Sequence, residues 1–127
     1  MKRITIFTLI VLLFVSLAYA ANRPQGQFRP VGEETITVDN TVGGKALTAT
    51  EYISSGRIIS DFALIRIEGA QLRYFTNGSA PTSTVGTPAL PYETIMLQSY
   101  DELVKFRAIR TGTTSATITV NYYLWTP

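Results

Sequence analysis

The clearest pattern in the chain lies near its C-terminus. In ATITVNYYL (116–124), Ile118, Val120, Tyr122 and Leu124 fall on one side of a period of two. Thr117, Thr119, Asn121 and Tyr123 fall on the other. Successive side chains of a strand point to opposite faces, so this spacing predicts a strand with one apolar and one wet face. FALIRIE (62–68) repeats the pattern, with Ala63, Ile65 and Ile67 inward and Arg66 and Glu68 outward. ETITVD, with Ile36 and Val38 inward, QLRYFT (71–76) and ETIMLQ (93–98) alternate too. VKFRAIRT (104–111) places Phe106 and Ala108 inward, and KALTATEYI (45–53) reads as a further strand with Leu47 and Ala49 inward.

Turn residues separate these runs. Asn40 to Gly44, SSGR (54–57), Gly69-Ala70 and Gly112 punctuate the chain, and glycine supplies the positive φ that tight turns need. SYDEL (99–103) differs: Ser99 with Glu102 three residues on is a capping-box spacing, which predicts one helical turn. LRYFTNGSAPTSTVG (72–86) starts as a strand and breaks at Asn77-Gly78, a tight-turn signal. Asn77-Gly78-Ser79 is also a glycosylation sequon, but the simpler reading is a turn-over between strands. About seven short strands roughly 8–12 residues apart predict an all-β fold, a single antiparallel β-sandwich of immunoglobulin-like or jelly-roll-like topology.

The N-terminus does not fit this pattern. Lys2 and Arg3 precede the apolar run Ile4–Leu17, and Ala18-Tyr19-Ala20 follows. That is the form of a secretory signal peptide, residues 1–20. The apolar run is short of the roughly 20 residues that span a bilayer, so membrane association is expected only if the signal stays uncleaved. Residues 21–33, with two prolines and two glycines, read as an extended arm, either a tail or a strap on a neighbouring subunit. The β-sandwich domain is expected over 34–127. Export to a periplasm, an envelope or the exterior follows from the leader.

Charge changes once the leader is set aside. Of 11 lysines and arginines two lie in it, leaving nine against nine acidic residues. No basic stripe remains, so nucleic acid is not an expected partner. Cysteine and histidine are both absent, which excludes disulfides, thiolate or imidazole zinc sites, Ser-His-Asp triads and Cys-His dyads. The carboxylate pairs Glu33-Glu34 and Asp101-Glu102 are adjacent in sequence. Paired glycosidase carboxylates must instead face each other across a cleft. The chain is therefore read as non-enzymatic, with no metal and no cofactor.

What remains is surface. Arg66, Arg73, Arg107 and Lys105 occupy outward strand positions, where they form either an anion-binding ladder or cross-strand pairs with Glu68, Glu93 and Glu102. Among Tyr92, Tyr100, Tyr122, Tyr123 and Trp125, the phase places Tyr123 and Trp125 outward. Exposed Tyr and Trp bind sugar rings or partner proteins well. Tyr123 and Trp125, with Arg73 and Asn77, are the candidate binding residues.

TVDNTVGGKALTA (37–49), IEGAQLRYFTNGSAPTSTVG (67–86) and FRAIRTGTTSATITVNYY (106–123) resemble a small protein type encoded in tailed-phage genomes. In that type an IRYT-DG-TPT strand and turn is followed by an FRAIRT strand and a Thr/Val-rich strand. The likeness spans 34–123 and implies a virion structural or accessory role without catalytic residues. A weaker likeness links LRYFTNGSAPT and KFRAIRT to the immunoglobulin-like C-terminal module of chitobiase-type enzymes, with Asn77 where both patterns usually carry Asp. Two functions follow as expectations. One is a structural module that self-associates or binds proteins through edge-strand or face contacts. The other is an exported module that binds a polysaccharide or surface receptor.

Overall fold

Alternation decides which side of the clearest strands is buried in the computed structural model, which describes residues 26–127. In β4 (Phe62–Glu68), Ala63, Ile65 and Ile67 are fully buried while Arg66 and Glu68 are exposed. In β9 (Ala116–Thr126), Ile118, Val120 and Tyr122 are buried, but Leu124 is only partly covered. β1 (Gln27–Val38) pairs with β9 along its length, from Gln27 opposite Thr126 to Val38 opposite Ala116. β7 (Thr94–Leu97) lies beyond β4, giving the sheet order β1-β9-β4-β7. A second sheet runs β6-β5-β8, from β6 (Thr87–Ala89), β5 (Leu72–Phe75) and β8 (Arg107–Arg110). β2 (Ile53–Ser54) and β3 (Arg57–Ile58) form a separate hairpin. Every pairing is antiparallel.

One apolar cluster joins these pieces. Ile65, Ile67, Leu97, Ile118, Val120 and Tyr122 come from the larger sheet, Leu72, Ala89 and Ala108 from the smaller, and Leu103 and Phe106 from the segment that links β7 to β8. Each large side chain so buried contributes about 2 kcal/mol, and without cysteine this packing is what holds the fold. The architecture is all-β and sandwich-like.

The predicted helical turn is α1 (Tyr100–Lys105). The Ser99 hydroxyl accepts the Glu102 N–H at 3.3 Å, and the Glu102 carboxylate reaches back to the Gln98 N–H at 2.6 Å. The first bond satisfies an N–H that would otherwise be orphaned at the start of the helix, and the second fixes the residue that leads into the cap. Asp101 sits one turn before Lys105 and binds its ammonium at 2.8 Å.

Several boundaries differ from the sequence reading. The expected signal peptide, and the first residues of the expected 21–33 arm, lie outside the described residues. From Gln27 onward that segment is no free arm, because it continues β1 and pairs with β9. Hydrogen bonding to a neighbouring strand outweighs a local composition rich in proline and glycine, and the register shifts between Pro30 and Gly32 to absorb the proline. The expected 45–53 strand is a single bridge from Lys45 to Ala108, then a 3₁₀ turn at Ala49–Glu51. Leu47 is buried as foreseen, but Ala49 is exposed. Val104 and Lys105 belong to α1 rather than to β8. β6 was not foreseen, and nine strands are described rather than about seven.

The loop 76–86 turns over between β5 and β6. At its start the Asn77 carboxamide oxygen accepts the Ser79 N–H at 3.0 Å, and Gly78 has φ +85°. Beyond the turn the loop folds back on the smaller sheet. Pro81 is buried, packed beside Gly44 and Gly86, and the Arg73 guanidinium donates to the Gly86 carbonyl at 2.7 Å.

Candidate functional site

Strand phase and register together assemble the most distinctive surface of the molecule. Tyr122 faces the core, so Tyr123 and Trp125 face outward from β9. Across the sheet, Phe28 of β1 lies opposite Trp125, and Phe62 of β4 lies opposite Tyr123. Residues paired in this way share a face. The four rings form a continuous chain. Phe28 and Trp125 have centroids 5.0 Å apart, Phe28 and Phe62 4.7 Å, and Phe62 and Tyr123 5.8 Å. All are tilted or edge-on, the arrangement the ring quadrupoles favour.

This cluster is open to water. Phe28 is 52% exposed and Trp125 46%, while Phe62 and Tyr123 are half-buried between their neighbours. Leu64 and Met96 carry the apolar surface on across β4 and β7, Met96 being 51% exposed. Trp125 is held at its backbone and at its ring. The Asp61 carboxylate accepts the Trp125 backbone N–H at 3.0 Å, and Gly26 lies so close to the indole that an added Cβ would sit 2.0 Å from it.

Of the four residues expected to bind, the fold therefore unites Tyr123 and Trp125. Arg73 and Asn77 lie apart from them, on β5 and in the following loop. Arg73 is committed to the Gly86 carbonyl and Asn77 to its own turn. Phe28 and Phe62 are the members sequence reasoning missed. Phe62 had a readable signal, because it shares the outward phase of Arg66 and Glu68. Phe28 had none, since it falls in a stretch without alternation.

The expected arginine row does not form. Arg73 and Arg107 spend their guanidinium groups on backbone carbonyls, Arg107 on those of Val104 and Phe106. Lys105 lies in α1, paired with Asp101. None of the foreseen cross-strand pairs forms among the described residues either. Glu93 accepts the Leu90 N–H and Glu102 the Gln98 N–H, both through backbone groups left unpaired at turns.

The sheet edges are poorly suited to strand addition. β1 carries Pro30 and a bulge, and β6 carries Pro88. β8 is covered by Lys45, which exchanges two backbone bonds with Ala108 at 2.7 and 2.9 Å. β7 is only four residues long. Proline, bulges, cover and short length are the usual ways an edge is kept from pairing with another chain.

Among the described residues, no group of three carboxylates is placed to hold a metal ion. No helix there is long and apolar enough to cross a membrane. No protein-family model matches the chain, and no curated protein or solved structure is similar to it.

Proposed function

We propose that this chain is a non-enzymatic structural module of the phage-virion type, a single β-sandwich that works by surface contact after export. The observation that carries the proposal is the aromatic face of Phe28, Phe62, Tyr123 and Trp125. A monomer that stays alone leaves few large apolar rings together in water. Aromatic residues at the centre of a buried patch carry much of the binding energy of protein interfaces. With the edges blunted, association proceeds face to face rather than by strand addition. The likeness of 34–123 to small phage proteins supports the same reading.

Sedimentation analysis of the purified protein over a wide concentration range tests it. Reversible association is expected, and Trp125→Ala together with Phe28→Ala weakens it by about 2 kcal/mol or more, roughly thirtyfold in dissociation constant. Val42→Ser, at a 97%-exposed apolar residue outside this face, leaves it unchanged. A protein that remains monomeric at the highest concentration and captures no protein partner would overturn the proposal. Exposed Trp and Tyr also suit sugar rings, and retention on an insoluble glycan that Trp125→Ala abolishes would favour polysaccharide binding instead.

A further inference from the structure

Sorting the cations of the described residues by partner leaves three without one. Lys45 pairs with Asp39 and Lys105 with Asp101. Arg73, Arg107 and Arg110 each donate to backbone carbonyls. Among the described residues, Arg29, Arg57 and Arg66 show neither an ion pair nor a side-chain hydrogen bond. Two of these three, Arg29 and Arg57, line the same groove. It lies between the start of β1 and the β2–β3 hairpin, on the side of β9 opposite the aromatic cluster.

The groove has a volume of about 630 Å³, within the usual range for small-ligand sites. Val31, Ile58 and Leu124 line it, and Ile58 is 51% exposed although it is a large aliphatic side chain. Leu124 has the phase of a core residue but stays only partly covered, its side chain lining the groove. Ser55 brings a hydroxyl to the same wall. It sits at φ +50° beside Gly56 at φ +76°, which tightens the turn that carries Arg57. The nearby Asp61 carboxylate is engaged by the Trp125 N–H.

An apolar lining beside two unpaired guanidinium groups complements one kind of occupant. We propose that this groove binds a small amphiphile, a carboxylate carried on an apolar chain. The head group takes the bidentate hydrogen bonds that guanidinium offers to carboxylate. The chain covers Val31, Ile58 and Leu124 and removes their surface from water. This site is independent of the aromatic face, and association through that face can fail while ligand binding here holds.

Titrations of the isotopically labelled full chain, followed by amide chemical shifts, test the proposal. The probes are octanoate, octanol and acetate. Octanoate is expected to shift the amides of Val31, Ser55 and Leu124 saturably, while octanol and acetate bind about tenfold more weakly or not at all. Arg57→Gln, an exposed substitution that leaves the fold intact, lowers octanoate affinity about fivefold or more. Arg66→Gln, the third unpaired arginine but outside the groove, has no effect. Equal binding of octanol, equal sensitivity to Arg66→Gln, or octanoate shifts confined to Phe28 and Trp125 would each overturn the assignment.

Discussion

Tyr122 shows how one side chain can join distant parts of this chain. Its ring is fully buried, and its hydroxyl donates to the Glu34 carboxylate. Glu34 also accepts the Thr48 N–H at 3.1 Å, so one carboxylate ties β1 to β9 and to the segment before the 3₁₀ turn. Burial first, and then the Glu34 hydrogen bond, push the Tyr122 phenol above its ordinary value. The folded state therefore resists losing that proton, whereas the unfolded chain gives it up near pH 10. The stabilisation is fully present below about pH 10 and is lost as pH rises toward the folded value. Urea unfolding at stepped pH is expected to show stability falling above about pH 10, and falling less steeply in Tyr122→Phe. At neutral pH the same substitution costs about 1.5–3 kcal/mol, the net worth of a hydrogen bond to a charged group. Equal slopes in the two proteins would contradict this account. Tyr52 and Tyr74 are raised mainly by burial and keep part of the slope in the variant.

Among the elements, the loop 76–86 was half readable. Asn77-Gly78 announced a turn, and a turn is there. The sequence carried no sign that the following residues would return to cover the smaller sheet, because that depends on Gly44, some forty positions earlier, leaving space for Pro81. Gly86 closes the arrangement. It has φ +125°, and an added Cβ would stand 3.2 Å from the Tyr74 carbonyl and 3.3 Å from both Arg73 and Pro81. Gly86→Ala is expected to cost about 1–3 kcal/mol in urea unfolding. Gly43→Ala, at φ +86° but with nothing near its added methyl, is expected to cost less, about 1 kcal/mol. Similar losses at both positions would show that backbone strain alone, rather than the packed loop, sets the penalty. The 45–53 segment was misread for a related reason. Its period-two pattern is weak, and after the Lys45 bridge to β8 the chain enters the 3₁₀ turn and regains strand pairing only at Ile53, in the β2–β3 hairpin.

At the scale of the molecule, the first and last described strands are partners. β1 and β9 form the longest ladder, and β9 also pairs with β4, so the C-terminal strand is central to the larger sheet. Such non-local pairing predicts folding in milliseconds to seconds, slower than a helical protein of similar size. It also makes the end of the chain indispensable. Removing residues 122–127 takes away the buried Tyr122 ring and the outward Tyr123 and Trp125 together. The truncated chain is expected to lose amide dispersion and cooperative unfolding, since loss of a buried aromatic alone costs about 3–5 kcal/mol of a marginal total. A truncated protein that still unfolds cooperatively would show that Ala116–Asn121, the part of β9 left in place, is enough to hold β1 and β4. The same placement brings Phe28, from the first strand, onto Trp125, from the last.

Local rules were enough for what depends on near neighbours in sequence. Period-two alternation marked β4, β7 and most of β9 and chose their buried faces. The Ser99–Glu102 spacing marked α1, and the missing histidine and cysteine removed whole classes of chemistry. The tertiary structure decided whatever depended on distant partners. It recruited 27–33 into β1, kept 46–52 out of any strand, turned Arg73, Arg107 and Arg110 toward carbonyls, and brought Phe28 and Phe62 to Tyr123 and Trp125. The division has a physical cause: a side chain's facing follows from residues one or two positions away, whereas its neighbours across a sheet are set by register, which is settled only when the whole core packs.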